Sequence, residues 1–397
     1  MRTLLWLSCL SYMVIGMAHV VAGAVLEPMM ASYGLTYGDG GQFIMNQFLG
    51  FLGGVLITPW LTARIGKRRA LLVALGMLTV IQAGYSLLLP WGWMLALAPL
   101  AGFGFGMTET IIGAVIIDAV QHQKASAMTR IEAFFGLGAL AMPALAALLI
   151  TRDLWAWSFP VVMILAGITV LLWAVLPMGK AEALLSHRRE AMQQAAVQRP
   201  GYSRAVLPFL LMGVCYFLLY VGMEMSFSNY LPSIMIGQTG MDQADAAMTM
   251  SLFWGLMVVG RLVVGPIADR IGHGRYLAIS TAAGTVLFVL LLFSAHVVWS
   301  LIFIALSGLV WSGVFAIGLV YVNQQLPGMT ERTTSLLVAF GGLGGALFPR
   351  LSGSLMDRSG APATLTLYVS LAAVMLALII GLLVSARRRQ AAAATAQ

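Results

Sequence analysis

Charge is what this chain has least of. Only 9% of its 397 residues are Asp, Glu, Lys or Arg, against roughly 25% in a soluble domain, so a soluble fold is excluded. Cysteine is almost missing too. Cys9 and Cys215 each lie within an apolar run, with no CxxC pattern and no disulfide framework, and two free thiols are expected. There is no P-loop, no HExxH and no Ser/His/Asp set, which excludes an ATP-driven pump and leaves no expected cofactor or metal. Basic residues exceed acidic ones, 22 to 14, for a net charge of +8. They lie scattered between apolar stretches and form no patch, so nucleic acid is not an expected partner.

What the chain does have is apolar length. Hydrophobic residues make up 60% of it and the mean hydropathy is +0.92. Apolar segments recur from end to end, each supplying the ~20 residues that cross a bilayer. The reading is an all-α membrane protein of twelve transmembrane helices. The expected spans are 4–26, 41–61, 70–89, 95–118, 130–150, 157–176, 205–230, 246–268, 276–294, 297–320, 333–354 and 361–384. The 43 glycines suit close helix packing in lipid. One polar stretch, 177–204, divides the chain into an N-terminal six-helix half, 1–176, and a C-terminal half, 205–397, with a short basic tail. The stretch 181–197 is expected to lie on the anionic inner leaflet or to serve as a tether.

Lys and Arg set the orientation. With the N-terminus in the cytoplasm, eighteen of the 22 fall in cytoplasmic segments or at their edges, and only Arg152 and Arg358 are external. Both termini are therefore expected inside.

The halves repeat. Ala133–Pro143, AFFGLGALAMP, matches Ala339–Pro349, AFGGLGGALFP, at a displacement of 206 residues. The same displacement sets Arg64-Ile65-Gly66 on Arg270-Ile271-Gly272 and Gly102 on Gly308. Leu26-Glu27-Pro28 answers Leu231-Pro232 near that displacement, so the first span is expected to be structural and not a cleaved signal. Two parallel halves with a cytoplasmic linker bind ligand near mid-membrane, at their interface.

The loop after span eight, Gly265-Pro266-Ile267-Ala268-Asp269-Arg270-Ile271-Gly272-His273-Gly274-Arg275, resembles the loop signature of the major facilitator superfamily. Its copy, Leu61–Arg69, carries Ala63 where the acidic residue belongs. In that family these loops lock a conformational state, which implies gate roles for Arg64, Asp269 and Arg270. With Ala63 in place, Arg64 is expected to pair with Asp118 or Glu132. Further stretches, Gly50–Ile57, Glu109-Thr110, Phe135–Leu140, Leu231–Ile236 and Gly260-Arg261-Leu262, are similar to the bacterial glucose/mannose permease branch, related to the proton-coupled fucose permeases. The resemblance implies a bacterial plasma-membrane sugar symporter in which Glu109 takes part in proton coupling. It also marks a departure: the fucose permeases have an Asp four residues before a Pro in span one, and this chain has Ala24.

The residues add to this on their own terms. Glu109 sits at bilayer mid-depth, where a charge costs about 2.5–3.5 kcal/mol on insertion scales and a carboxyl group is by default functional. His19 titrates near neutrality and is a candidate relay, or else a helix-packing residue bonded to a carbonyl. Candidate substrate contacts are Asn46, Gln47, Glu224, Asn229, Trp254, Trp311 and Arg261. Glu224 and Asn229 diverge by about 140° on a regular helix, so they share a cavity only if span seven unwinds. Arg261 needs a carboxylate partner, and Glu224 is the expected one. The 25 methionines fit an adaptable cavity and keep a second reading open.

The expected function is a proton-coupled secondary transporter of a hexose-like sugar, monomeric, with protons, one small solute and the bilayer as its partners. The alternative is a proton-driven exporter of amphipathic compounds or metabolites, for which an apolar cavity with one acid would speak. A membrane enzyme or sensor is the third.

Overall fold

The computed structural model describes residues 2–119, 124–185, 202, 204, 206–326 and 329–395. It is all helical among them. Span one is Arg2–Ala24 continued by Leu26–Tyr33, with a break at Val25. Spans two to six are Tyr37–Ile65, Lys67–Ser86, Trp91–Ala119, Lys124–Ile150 and Ser158–Val175. Spans seven, eight and nine are Leu207–Thr239, Gln243–Ile271 and His273–Leu292, and span ten is Val297–Trp311 continued by Val314–Gln324.

The last helix, Thr330–Thr395, has 66 residues, about 100 Å at 1.5 Å per residue, far longer than a ~30 Å hydrocarbon core. Gly360 breaks it, at φ 72° and ψ −169°, a conformation open to glycine and not to residues with a Cβ. Spans eleven and twelve lie on either side of that break. Twelve crossings is an even number, so both termini lie at one end of the bundle, here termed the terminal end. The expected connection 177–204 falls mostly outside the described residues; Gly179–Ala181 and Glu182–Leu185 are short helices.

The helices outrun the expected spans because polar residues cap them. Thr36 and Asp39 form a capping box at the start of span two. Asp242, 206 residues after Thr36, accepts the N–H groups of Ala244 and Asp245 at the start of span eight. Gly34 and Gly240 end spans one and seven in the left-handed conformation. The repeat is thus built into the turns as well as the membrane segments.

Packing follows the same symmetry. Span one lies on span five, two on four, and three on six. Seven lies on eleven, eight on ten, and nine on twelve. Gly102 of span four meets the carbonyl of Gln47 on span two, and Gly308 of span ten meets the carbonyl of Phe253 on span eight. A side chain at either glycine would collide with backbone, so these crossings need none. Between halves, span five packs on span eight and span two on span eleven. The outer face, with Leu56, Val80, Leu171, Leu262 and Leu290 exposed, is apolar as a lipid boundary requires.

Candidate functional site

A cavity of about 100 Å³ lies between the halves. Spans one and two bring Tyr12, His19, Phe48 and Phe51 to it, and spans four and five bring Glu109, Glu132 and Phe135. Across from them stand Val221, Glu224 and Met225 of span seven, Trp254 and Arg261 of span eight, Phe315 of span ten, and Val338 and Gly342 of span eleven. Helical period explains the selection. Tyr12 and His19 are two turns apart on one face, as are Trp254 and Arg261.

The electrostatics among the described residues are lopsided: three carboxylates face one guanidinium. Arg261 Nη1 donates to the backbone carbonyl of Glu132 at 3.0 Å, and the Glu132 carboxylate lies 3.8 Å away. Glu224 accepts the hydroxyl of Tyr220 at 2.8 Å. Tyr12 donates to the backbone carbonyl of Glu109 at 3.2 Å, while the Glu109 carboxylate takes no hydrogen bond or ion pair from any described residue. A carboxylate without a hydrogen-bond partner is costly in a low-dielectric cavity. The rest of the wall is aromatic. Trp254 is held by a 2.8 Å bond from its Nε1 to Ser228 and meets Phe135 edge-on, with ring centroids 5.9 Å apart.

His19 is caged by Phe48, Phe51, Phe105 and Phe135, with centroids 5.5, 6.0, 4.4 and 5.4 Å from its own. Its Nδ1 lies 3.1 Å from the Ile15 carbonyl, which only accepts, so Nδ1 carries a proton. In the neutral ring Nε2 is then an acceptor.

Of the candidate proton and substrate sites, Glu109, His19, Glu224, Trp254 and Arg261 come together in the cavity, joined by the gate candidate Glu132. The other candidate substrate contacts do not line it. Asn46 donates to the Leu95 carbonyl at 3.1 Å, an intramembrane helix tie. Gln47 is buried in the contact of spans two and four. Asn229 donates back to Met225 at 2.8 Å and packs on Gly23; span seven does not unwind, so it points away from Glu224. Trp311 stacks on Tyr220 at 5.5 Å and 12°, inside the second half.

The partner expected for Arg261 is corrected. It is Glu132 of the other half, not Glu224, because span eight packs on span five at this level. Glu132 is therefore committed to the cavity and not to Arg64, whose guanidinium lies 4.1 Å above the Trp60 ring. The Asp118 side chain lies outside the described residues. In the second loop, Asp269 bonds His273 at 3.2 Å and Arg270 is exposed.

Sequence reasoning missed two features. Arg68 donates to the carbonyls of Trp173, Ala174 and Leu176 and pairs with Glu182 at 2.9 Å. It thereby satisfies the open C-terminal carbonyls of span six. At the far end, Asp357 accepts the N–H groups of Tyr37 and Gly38 at 2.8 and 2.7 Å. Tyr230 donates to the Tyr37 carbonyl at 2.7 Å, and Arg350 to that of Gly38. These bonds join span two of one half to spans seven and eleven of the other.

The comparisons agree with this architecture. The family model described as Major Facilitator Superfamily matches residues 8–349 and 212–396. The chain is 28% identical over 385 residues to the glucose/mannose transporter GlcP of Bacillus subtilis (strain 168), covering 95% of this chain and 93% of that one. It is 24% identical over 374 residues to protein TsgA of Escherichia coli O17:K52:H18, covering 91% and 90%. Among solved structures, a D-xylose-proton symporter superposes with a TM-score of 0.74 at 13% identity, covering 95% and 97%.

Proposed function

Since the chain belongs to the Major Facilitator Superfamily and is a multi-pass membrane transporter rather than an enzyme, we propose that it couples inward movement of a hexose-like sugar to protons by alternating access. The observation that carries this reading is the carboxylate of Glu109, which has no partner among the described residues and opens on a cavity shared by both halves. Glu109 takes the proton. Glu224 and His19 Nε2 accept substrate hydroxyls, Arg261 donates, and Trp254 and Phe135 offer flat faces to the C–H side of a pyranose ring. GlcP, named a glucose/mannose transporter, supports the cargo, and a symporter of xylose and protons shares the fold.

The cavity of about 100 Å³ is smaller than the roughly 300–1,000 Å³ of typical small-molecule sites. Substrate entry therefore requires the halves to part. With both termini in the cytoplasm, the far-end bonds of Asp357 and Tyr230 face outside and close the external route. The protein works as a monomer, because one chain supplies the whole cavity.

The test is uptake of labelled glucose and a small sugar panel into proteoliposomes, with and without an inward proton gradient. Accumulation of one sugar against its gradient, lost in Glu109→Gln, is the expected result. Facilitated uptake indifferent to the gradient would overturn proton coupling. A second reading, proton-driven export of amphipathic compounds, draws on the walls: Phe48, Phe51, Phe135, Phe315, Trp254 and Met225 line the cavity while Asn46, Gln47 and Asn229 do not. No sugar uptake, together with proton release from acid-loaded vesicles on adding such compounds, would favour it.

A further inference from the structure

Among the described residues Arg261 is the one guanidinium lining the cavity, and it has two carboxylates to choose between. Glu132 belongs to the first half and holds it at 3.8 Å, with the backbone carbonyl of Glu132 at 3.0 Å. Glu224 belongs to the same half as Arg261, one span away, and lines the same cavity without forming an ion pair with it. We propose that Arg261 is the switch between the two transport states, bound to Glu132 while the terminal end is closed and to Glu224 once it opens. The proposal rests on the alternating-access reading but not on the identity of the cargo.

Three observations carry it. Arginine stays protonated in any protein environment, and a buried guanidinium without a partner is strongly unfavourable, so Arg261 must exchange partners and cannot simply let go. The Glu132 bond crosses the interface of spans five and eight at the level where those spans must separate for the terminal end to open. Gly136, one turn beyond Glu132, has no side chain where Val258 would meet it, so the two spans approach closely enough for the pair to form. Among the described residues, Tyr12, His19, Glu109, Glu132 and Glu224 are the titratable groups lining the cavity with Arg261, and Tyr220 holds Glu224 from behind.

A proton arriving from the cavity adds to the Glu132 carboxylate and leaves a neutral acid. Arg261 keeps its charge and turns to the Glu224 carboxylate. Water at the opened terminal end takes the proton from Glu132, and the pair with Arg261 reforms as that end closes. Glu109 takes no part in this step.

The test uses distances between spin labels on the full chain in nanodiscs, with Cys9 and Cys215 replaced by serine. Arg69→Cys and Arg275→Cys carry the labels; both positions are exposed, start equivalent spans and lie at the terminal end of opposite halves. Glu132→Gln is expected to raise the ratio of long to short distances by roughly tenfold, within the usual range of allosteric couplings. Glu224→Gln is expected to move the ratio the other way. Exchanging the charges, Glu132→Arg with Arg261→Glu, is expected to return it toward the parent. Acid pH is expected to lengthen the distance in the parent and not to lengthen it further in Glu132→Gln. An unchanged ratio in folded Glu132→Gln, or shifts of the same sign in Glu132→Gln and Glu224→Gln, would overturn the switch. No substrate is added, so a failure of the sugar reading leaves this result intact.

Discussion

The carboxylate of Asp357 accepts the backbone N–H of Tyr37 at 2.8 Å, so a side chain of one half caps the first turn of a helix in the other. It sits where the helix dipole favours an anion. A charge-assisted hydrogen bond is worth roughly 1.5–3 kcal/mol, and solvent at this exposed site takes back part of that. Asp357→Ala should therefore loosen the far-end closure by about tenfold, the effect of ~1.4 kcal/mol. Hydrogen exchange of the segment 36–48 reads it: exchange should quicken there and stay unchanged in span nine. Equal protection in both proteins would mean that the closure rests on Tyr230 and Arg350 alone.

The fold was legible in the sequence because lipid imposes one solution on long apolar segments, and because the repeat survives in residues such as Gly102 and Gly308. The site was legible only in part. Glu109, Arg261 and Glu224 stood out because charge in a membrane has few innocent explanations. Glu132 was recognised as a charge and offered with Asp118 as an alternative partner of Arg64, since a helix-end position in sequence does not reveal which neighbour it meets. Asn46 and Asn229 are neutral amides that satisfy themselves on nearby carbonyls, which composition cannot distinguish from a substrate contact. Tyr12 was missed, although its spacing of two turns from His19 places both on one face.

The caps offer a pH test. Asp242 holds the start of span eight by accepting the N–H groups of Ala244 and Asp245 at 2.8 and 3.0 Å. Those bonds hold its carboxyl below the ordinary carboxylate range. A depressed folded-state value means stability that is present above the ordinary range and lost as pH falls through the folded-state value. Asp242→Ala should cost about 1 kcal/mol at neutral pH, and Asp242→Asn much less. Thermal unfolding in detergent at neutral and acid pH checks both, and the gap between parent and Asp242→Asn should shrink in acid.

The glycine crossings make a stability prediction with a built-in control. A Cβ at Gly102 would run into the Gln47 carbonyl, whereas one at Gly76 meets nothing within 4 Å. Overpacking costs about 1–3 kcal/mol, and a backbone obstacle cannot turn aside as a side chain does. Gly102→Ala and Gly308→Ala should both lower the melting temperature. Gly76→Ala should hold or raise it, because alanine in a helix is favoured over glycine by up to ~1 kcal/mol. Similar losses at all three positions would refute the close-crossing account.

His19 and Glu109 share one cavity but differ in what they can release. The His19 Nδ1 proton is committed to the Ile15 carbonyl, and the ring is wedged among four phenylalanines, so only Nε2 is available, as an acceptor. The Glu109 carboxylate has no such commitment among the described residues. Replacing His19 by Gln keeps a polar group near Nε2 and should raise KM several-fold while leaving accumulation driven by the proton gradient in place. Glu109→Gln should do the reverse, retaining exchange of labelled for unlabelled substrate and losing accumulation. Paired exchange and accumulation assays on the two variants separate these roles. If His19→Gln also abolishes accumulation with exchange intact, the coupled proton passes through the imidazole and the Nδ1 bond to Ile15 must break during the cycle.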